Sequence, residues 1–227
     1  MASGELDFHQ DGLGSGGTVE AAILYAEEGP LWGGYTCFCN IVNLALELAR
    51  DDIESFRSLF RHDAVTIFRT SGSRAIKITS PILFIGEQKE PQVFFRCPGG
   101  EYDVDWDHSD KALERGVRFL LKHTQPFSTG TSFAALARRG FGCIIRNNCV
   151  LHGRTAFIDG SIPGTKRMLS RKWFSTSAAH AHFQHAPGMR VLDEYVSLFP
   201  EQFSPQYLDG EWVFDPVSGK NVRSGLL

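Results

Sequence analysis

Long apolar runs are missing from this chain of 227 residues, so no stretch is suited to crossing a bilayer as a helix. The opening Met1-Ala2-Ser3-Gly4-Glu5 has no apolar centre of the kind a secretory leader needs. Cysteine is scarce, and five is an odd number, scattered without a framework of spacings. That pattern excludes a disulfide scaffold and leads to the expectation of thiols in a reducing, cytoplasmic compartment. Cys37-Phe38-Cys39 is not a zinc knuckle, because one residue between thiols is too few and no second pair follows. On a strand both thiols would face the same side, and core packing is their expected role. A dominant charge is missing as well. Lys and Arg number 23 against 26 Asp and Glu, a net −3, which argues against a nucleic-acid footprint. Internal repeats and an alternation of strands with helices are also absent.

What the chain does have is a 42% hydrophobic content, enough for one domain with a substantial core, and 18 Phe, which read as a β-rich core and an aromatic-lined pocket. Apolar and β-branched runs predict strands at 18–26, 33–41, 65–69, 75–79, 81–85, 92–96, 143–146, 147–157 and 166–174. Helical spacing marks 42–49, 52–60 and 110–122, the last with Leu113, Val117, Leu120 and Leu121 as its stripe. The glycine-rich 12–17 reads as a loop; no Lys-Ser/Thr follows it, so it is not a nucleotide cradle. About eight strands with a few helices outside them predict a mainly β fold, an antiparallel barrel or a double-sheet jelly roll. The expected division is a jelly-roll domain over 1–175 and a C-terminal appendage over 176–227. In the appendage 178–185 reads as a loop holding His180, His182 and His185, 190–198 as a short helix, and 212–222 as a hairpin.

The strand Asn147–Phe157 carries His152, and a cationic strand with Arg167 and Arg171 follows it. Near the other end stands Phe8-His9-Gln10-Asp11-Gly12. Two imidazoles and one carboxylate make up the facial triad that holds non-haem Fe(II) while leaving coordination positions open. Four motifs in order resemble those of the TauD/TfdA-type Fe(II)/2-oxoglutarate-dependent dioxygenases. Phe8–Gly12 resembles the first ligand motif, and Gly33-Gly34-Tyr35-Thr36 the Gly-Gly-X-Thr strand after it. Asn148–Arg154 resembles the distal-ligand strand, and Arg167-Met168-Leu169-Ser170-Arg171 the closing Arg-X-X-X-Arg strand. The similarity runs from residue 8 to about 174.

The resemblance implies a jelly-roll core with His9, Asp11 and His152 on the metal, 2-oxoglutarate and O2 as the other participants, and succinate and CO2 as products. It implies that Thr36 touches the cosubstrate and that Arg167 grips its far carboxylate, where a planar guanidinium serves better than an ammonium. It gives Arg171 to an anionic group of a small-molecule substrate; a structural salt bridge is the plainer role. Arg154 shares the face of His152 and is a weaker candidate. A carboxylate at Asp11 argues against halogenation, since a halide would need its position; hydroxylation is the default, with desaturation or ring formation using the same chemistry. His108-Ser109-Asp110 is a second His-X-Asp, but it opens a predicted helix among Asp103, Asp105 and Asp107 and reads as an N-cap on a solvated acidic face. Two other readings compete: a non-catalytic jelly-roll binding protein, and a zinc hydrolase on the same three residues. Family members carry a sizeable region ahead of the His-X-Asp, where here only Met1 to Phe8 stand. The appendage is therefore expected to cover apolar interior by packing on the barrel or on a second copy of the chain.

Overall fold

The computed structural model describes residues 2–13, 19–69, 76–85, 90–100, 102–128, 132–136, 138–176, 189–191, 210–215 and 220–223. Within them the chain runs β1 (Ala2–Ser3), β2 (Leu6–His9), β3 (Ala21–Glu28), β4 (Trp32–Gly33), β5 (Tyr35–Asn40), α1 (Ile41–Asp51) and α2 (Ile53–Ser58). It continues through β6 (Val65–Arg69), β7 (Ile76–Ser80), β8 (Leu83–Ile85), β9 (Pro91–Val93), β10 (Tyr102–Asp105) and α3 (Lys111–His123). Then come β11 (Ser132–Leu136), β12 (Gly142–Arg146), β13 (Val150–Arg154), β14 (Phe157–Ile158), β15 (Met168–Thr176), β16 (Met189–Val191), β17 (Gly210–Asp215) and β18 (Lys220–Arg223). The chain is mainly β with a few helices, as expected. The loop 14–17, the turn Ser71-Gly72-Ser73, and His180, His182 and His185 lie outside the described residues.

Two four-stranded antiparallel sheets position the site. One has the order β11-β5-β13-β2, the other β12-β3-β15-β16. Alternation along β3 shows why they stack: Ala22, Leu24 and Ala26 are buried, while Tyr25 between them is exposed. Ala22 and Leu24 form a small cluster with Phe38 from β5 and Ile145 from β12, and Ala135 and Trp173 pack against it. The two sheets therefore face each other across this cluster. The outer face of the second sheet, with Tyr25 and Ile144, meets solvent.

The reverse face of the first sheet is covered by helices. Phe8, Cys37, Cys39 and Leu151 join Ile41, Leu44 and Leu48 of α1, Leu113, Val117 and Leu120 of α3, and Val65, Ile67 and Ile78 of β6 and β7 in the main core. Burying each such side chain contributes roughly 1.5–3 kcal/mol. Cys37 and Cys39 are thus core residues, as their spacing predicts. Capping sets the helix starts: Asn40 accepts from the Asn43 N–H, Asp52 from Ser55, and Asp110 from Ala112 and Leu113. The tail joins this body through its backbone. β17 runs parallel to β7 in the sheet β10-β6-β7-β17-β18 and forms with β18 the hairpin expected there. Where a helix is expected from Arg190, Met189–Val191 is instead a strand paired with the end of β15; the rest of that expected helix lies outside the described residues. Pairing with an available edge outweighs the weak helical spacing of so short a segment.

Candidate metal centre

Strand register brings the two imidazoles together. β13 lies between β2 and β5, with His152 opposite His9 on one side and Phe38 on the other, and Arg154 opposite Thr36. Residues directly opposed across a ladder share a face, as do residues two apart, so His9, His152, Arg154, Thr36 and Phe38 all point the same way. Phe38 belongs to the cluster between the sheets, so this is the enclosed face. The His9 and His152 ring centroids are 4.5 Å apart. Asp11 follows in the turn after β2, with Oδ1 3.8 Å from His9 Nε2 and Oδ2 3.6 Å from His152 Nε2. One donor atom from each of the three residues lies within 4.8 Å of the others. Ligands each about 2.1 Å from an ion lie at most about 4.2 Å apart, so both carboxylate–imidazole pairs fit around one ion.

Their charge state suits a cation. His9 Nδ1 is 2.7 Å from the Asp7 carbonyl oxygen. A carbonyl only accepts, so the proton sits on Nδ1 and the Nε2 lone pair faces Asp11. Burial lowers the pKa of both rings, His152 to about 4 with His9 beside it adding to the fall. Both are neutral near pH 7, the state a metal requires. Asp11 Oδ2 is buried with no hydrogen-bond donor on it. The His9 Nε2 lone pair therefore meets the Asp11 carboxylate with no proton between them. His152 Nε2 lies beside Oδ2, while the Nδ1 of that ring is buried without a partner. With the His152 proton on Nδ1, a divalent cation would balance all three. Arg171 meets part of that demand, its Nη1 donating to Asp11 Oδ1 at 2.7 Å. It reaches across from the second sheet, where Arg171 and Trp173 lie opposite Leu24 and Ala22 on the inner face.

A cationic patch lies next to this cluster. The guanidiniums of Arg154 and Arg167 sit over the same Phe157 ring, at 4.5 and 5.5 Å from its centroid. Burial lowers the pKa of each, and for Arg167 the neighbouring Arg154 cation helps bring it down to about 10. Arg167 Nε and Thr36 Oγ1 are buried without hydrogen-bond partners, two groups that a carboxylate could satisfy. The double glycine is what allows the chain so close. Gly33 and Gly34 have φ of +73° and +72°; a Cβ on Gly33 would lie 2.3 Å from the Ala156 oxygen, and one on Gly34 3.2 Å from Arg167 Cδ.

The sequence profile of the taurine catabolism dioxygenase TauD, TfdA family matches residues 1–173. The chain belongs to that family. Among solved structures, this TauD/TfdA-family chain is similar to PvcB from Pseudomonas aeruginosa, with 24% identity and a TM-score of 0.51 over 75% of this chain and 57% of that one. It is similar to an asparagine oxygenase in complex with Fe(II), 2S,3S-3-hydroxyasparagine and succinate, at 19% identity and TM-score 0.52 over 74% and 49% of the two chains. It is also similar to the non-heme iron oxygenase OrfP in complex with Fe, succinate and (3S)-hydroxy-L-Arg, at 18% and 0.52 over 74% and 52%. At these identities the likeness is one of fold. The chain spans about half the length of these relatives. No curated protein matches it in sequence.

The fold thus brings His9, Asp11, His152 and Arg171 to one point, and Thr36, Arg154 and Arg167 onto or beside the same enclosed space. It keeps His108 away: that ring is exposed, with Nδ1 2.9 Å from Glu114 Oε2 and Nε2 3.4 Å from Asp105 Oδ1, next to the Asp110 cap of α3. Three residues escaped the sequence reading. Asp7 orients His9 through its carbonyl, which any residue type could do, so no sequence signal marks it. Gln10 and Asn147 bind the backbone around Asp11; the one signal was an Asn-Asn pair between two apolar runs, which favours a turn.

Proposed function

We propose that this chain is a non-haem Fe(II)- and 2-oxoglutarate-dependent oxygenase acting on a small molecule, and that its two facing sheets are the double-stranded β-helix, or jelly roll, of such enzymes. The observation that carries the reading is the convergence of His9, Asp11 and His152 within 4.8 Å on the enclosed face of the first sheet. Bound there, Fe(II) with O2 supplies the oxidation of 2-oxoglutarate to succinate and CO2, coupled to oxidation of a substrate C–H. The chain's own work is placement. His9 Nε2, His152 Nε2 and the Asp11 carboxylate would hold the ion, a donor set that suits Fe(II). Arg167 and Thr36 take the far carboxylate of 2-oxoglutarate, which meets their unpaired Nε and Oγ1. Arg171, which here donates to Asp11 Oδ1, would be available to an anionic group of the substrate once an ion shared the carboxylate. The outcome is hydroxylation by default, with desaturation or cyclisation as variants. Among the described residues no helix is long and apolar enough to cross a membrane. The scattered cysteines, all present as thiols, support a reducing, cytoplasmic setting.

Zinc hydrolysis has no use for a grip on a dicarboxylate, and the Arg154–Arg167 patch weighs against it. A non-catalytic binding protein remains the rival, and turnover separates the two. Under anaerobic conditions the wild type and His108→Ala are expected to bind Fe(II) stoichiometrically, and Asp11→Ala and His152→Ala to lose it. Removing one side of a buried Arg–carboxylate contact costs on the order of 3–5 kcal/mol. Arg167→Ala should therefore weaken 2-oxoglutarate binding about a hundredfold or more while keeping Fe(II). Succinate release with Fe(II) and ascorbate then reports catalysis. Iron retained by His152→Ala, or cosubstrate affinity unchanged in Arg167→Ala, would sink the assignment; binding without turnover on any substrate would favour the rival.

A further inference from the structure

The two imidazoles are held by a strand ladder, but Asp11 is not. It lies in the turn beyond β2, where the pairing with β13 has ended. Its backbone is instead gripped by one side chain from the turn between β12 and β13. The Asp11 N–H donates to Asn147 Oδ1 at 2.9 Å, and the Asp11 carbonyl accepts from Asn147 Nδ2 at 3.0 Å. The other hydrogen of Nδ2 goes to the Val19 oxygen at 2.7 Å. Gln10 braces the same turn: its Nε2 donates to the oxygens of Val93 and Asn147 at 2.8 and 2.7 Å, and its Oε1 accepts from the Phe95 N–H at 2.9 Å.

We propose that Asn147, braced by Gln10, is a positioning residue that fixes Asp11 for metal binding. The inference rests on the reading of His9, Asp11 and His152 as the iron ligands. Asn147 is 1% exposed and Gln10 6%, so no water competes for these bonds. Each amide uses both hydrogens and its oxygen, which leaves one orientation. Turning either by 180° would set NH2 against N–H and oxygen against carbonyl oxygen. The side-chain amide of Asn147 does for Asp11 what a neighbouring strand does for the histidines, taking its N–H and its carbonyl together. With the backbone fixed, only the two side-chain torsions of Asp11 remain to be ordered when an ion arrives, and a pre-ordered ligand binds more tightly than a loose one. Asp or Ala at 147 would leave the Asp11 and Val19 carbonyls without donors in a buried place.

The test compares Asn147→Ala and Asn147→Ser with Leu120→Ala, a deletion in the helical core away from the site, with losses of melting temperature matched as far as the variants allow. Co(II), titrated anaerobically and followed by its visible absorption bands, reports affinity and ligand geometry together. The Asn147 variants are expected to lose roughly ten- to a hundredfold in Co(II) affinity, the usual effect of removing an outer support of a ligand. Their bands should shift, while Leu120→Ala keeps the affinity and bands of the wild type. Asn147→Ser serves if Asn147→Ala does not fold. Native affinity in a folded Asn147→Ser, or an equal loss in Leu120→Ala, overturns the proposal. If the wild type binds no Co(II), the iron reading fails. Hydrogen exchange at the Asp11 amide in the metal-free protein then decides the role of Asn147 by itself: faster exchange in Asn147→Ser upholds its hold on Asp11, and unchanged exchange refutes it.

Discussion

Burial decides the charge of His152, and through it both metal affinity and acid stability. In an unfolded chain the imidazole takes its proton near pH 6.5; in the fold that point falls to about 4, first because the ring is buried and then because His9 stands beside it. His9 moves in the same direction, again chiefly through burial. Between about pH 6.5 and 4 the unfolded chain holds a proton that the folded one lacks, so stability rises with pH across that window. The contribution is complete above about 6.5 and is lost as the pH falls toward 4, with on the order of 3 kcal/mol at stake for His152. Urea unfolding of the metal-free protein at pH 7, 5.5 and 4.5 should show this loss, and His152→Asn should show a shallower one. Identical slopes in the two proteins would mean that carboxylates elsewhere govern the acid response. At neutral pH the same shift leaves both rings uncharged, the state in which an imidazole can take an ion.

At the scale of elements, the site depends on how closely β2 passes β13. Gly153, between His152 and Arg154, has no room for a side chain: a Cβ there would lie 2.8 Å from the Leu6 carbonyl oxygen and 3.2 Å from Phe8 Cδ2. The ladder shifts register at this point, between the pairs His152–His9 and Arg154–Leu6. Gly153→Ala should push the strands apart, costing roughly 1–3 kcal/mol as overpacking does, and weaken metal binding with it. Thermal melting and Co(II) titration check the two effects; a variant that keeps both values would show that β2 can yield. This strand was legible in the sequence from its apolar residues, and so were the helices, from their stripes and caps. Its length was not, because Asn147 and Asn148 belong to a turn and β13 begins only at Val150. β10 was hidden by its acidic residues, Tyr102-Asp103-Val104-Asp105, and β11 by the Ala-rich Ser132–Leu136, whose β propensity is weak and whose place is set by pairing with β5. The candidate ligand set was legible as a proposal because its residue types are few and ordered along the chain, and the fold brings those three residues together. The Asn147 contact could not, since it joins Asp11 across 136 residues and leaves no periodic mark.

For the whole molecule, the question is what the tail does for the body. Among the described residues beyond β15, two strands pair with the body: β16 beside the end of β15, which also carries Arg171, and β17 beside β7. β7 is no bystander, for its Ile78 is 1% exposed in the core that backs the first sheet. Without β17, the β7 edge would present a row of unpaired N–H and C=O groups over that core, a template for sticking to other chains. Deletion of 186–227 should therefore lower the melting temperature and bring concentration-dependent aggregation. A shorter deletion of 217–227 removes β18 but leaves β17 to cover β7, so it should cost much less. In a chain of this size each 1 kcal/mol lost lowers the melting temperature by roughly 2–4 °C, well within reach of calorimetry. Light scattering at several concentrations separates exposed edges from simple loss of stability. If the longer deletion melts with the wild type and stays monodisperse, the β17–β7 pairing contributes nothing to the body. If both deletions fall by the same amount, β18 rather than β17 is the strand that matters. The order expected from the pairing is wild type, then 217–227, then 186–227, with aggregation confined to the last.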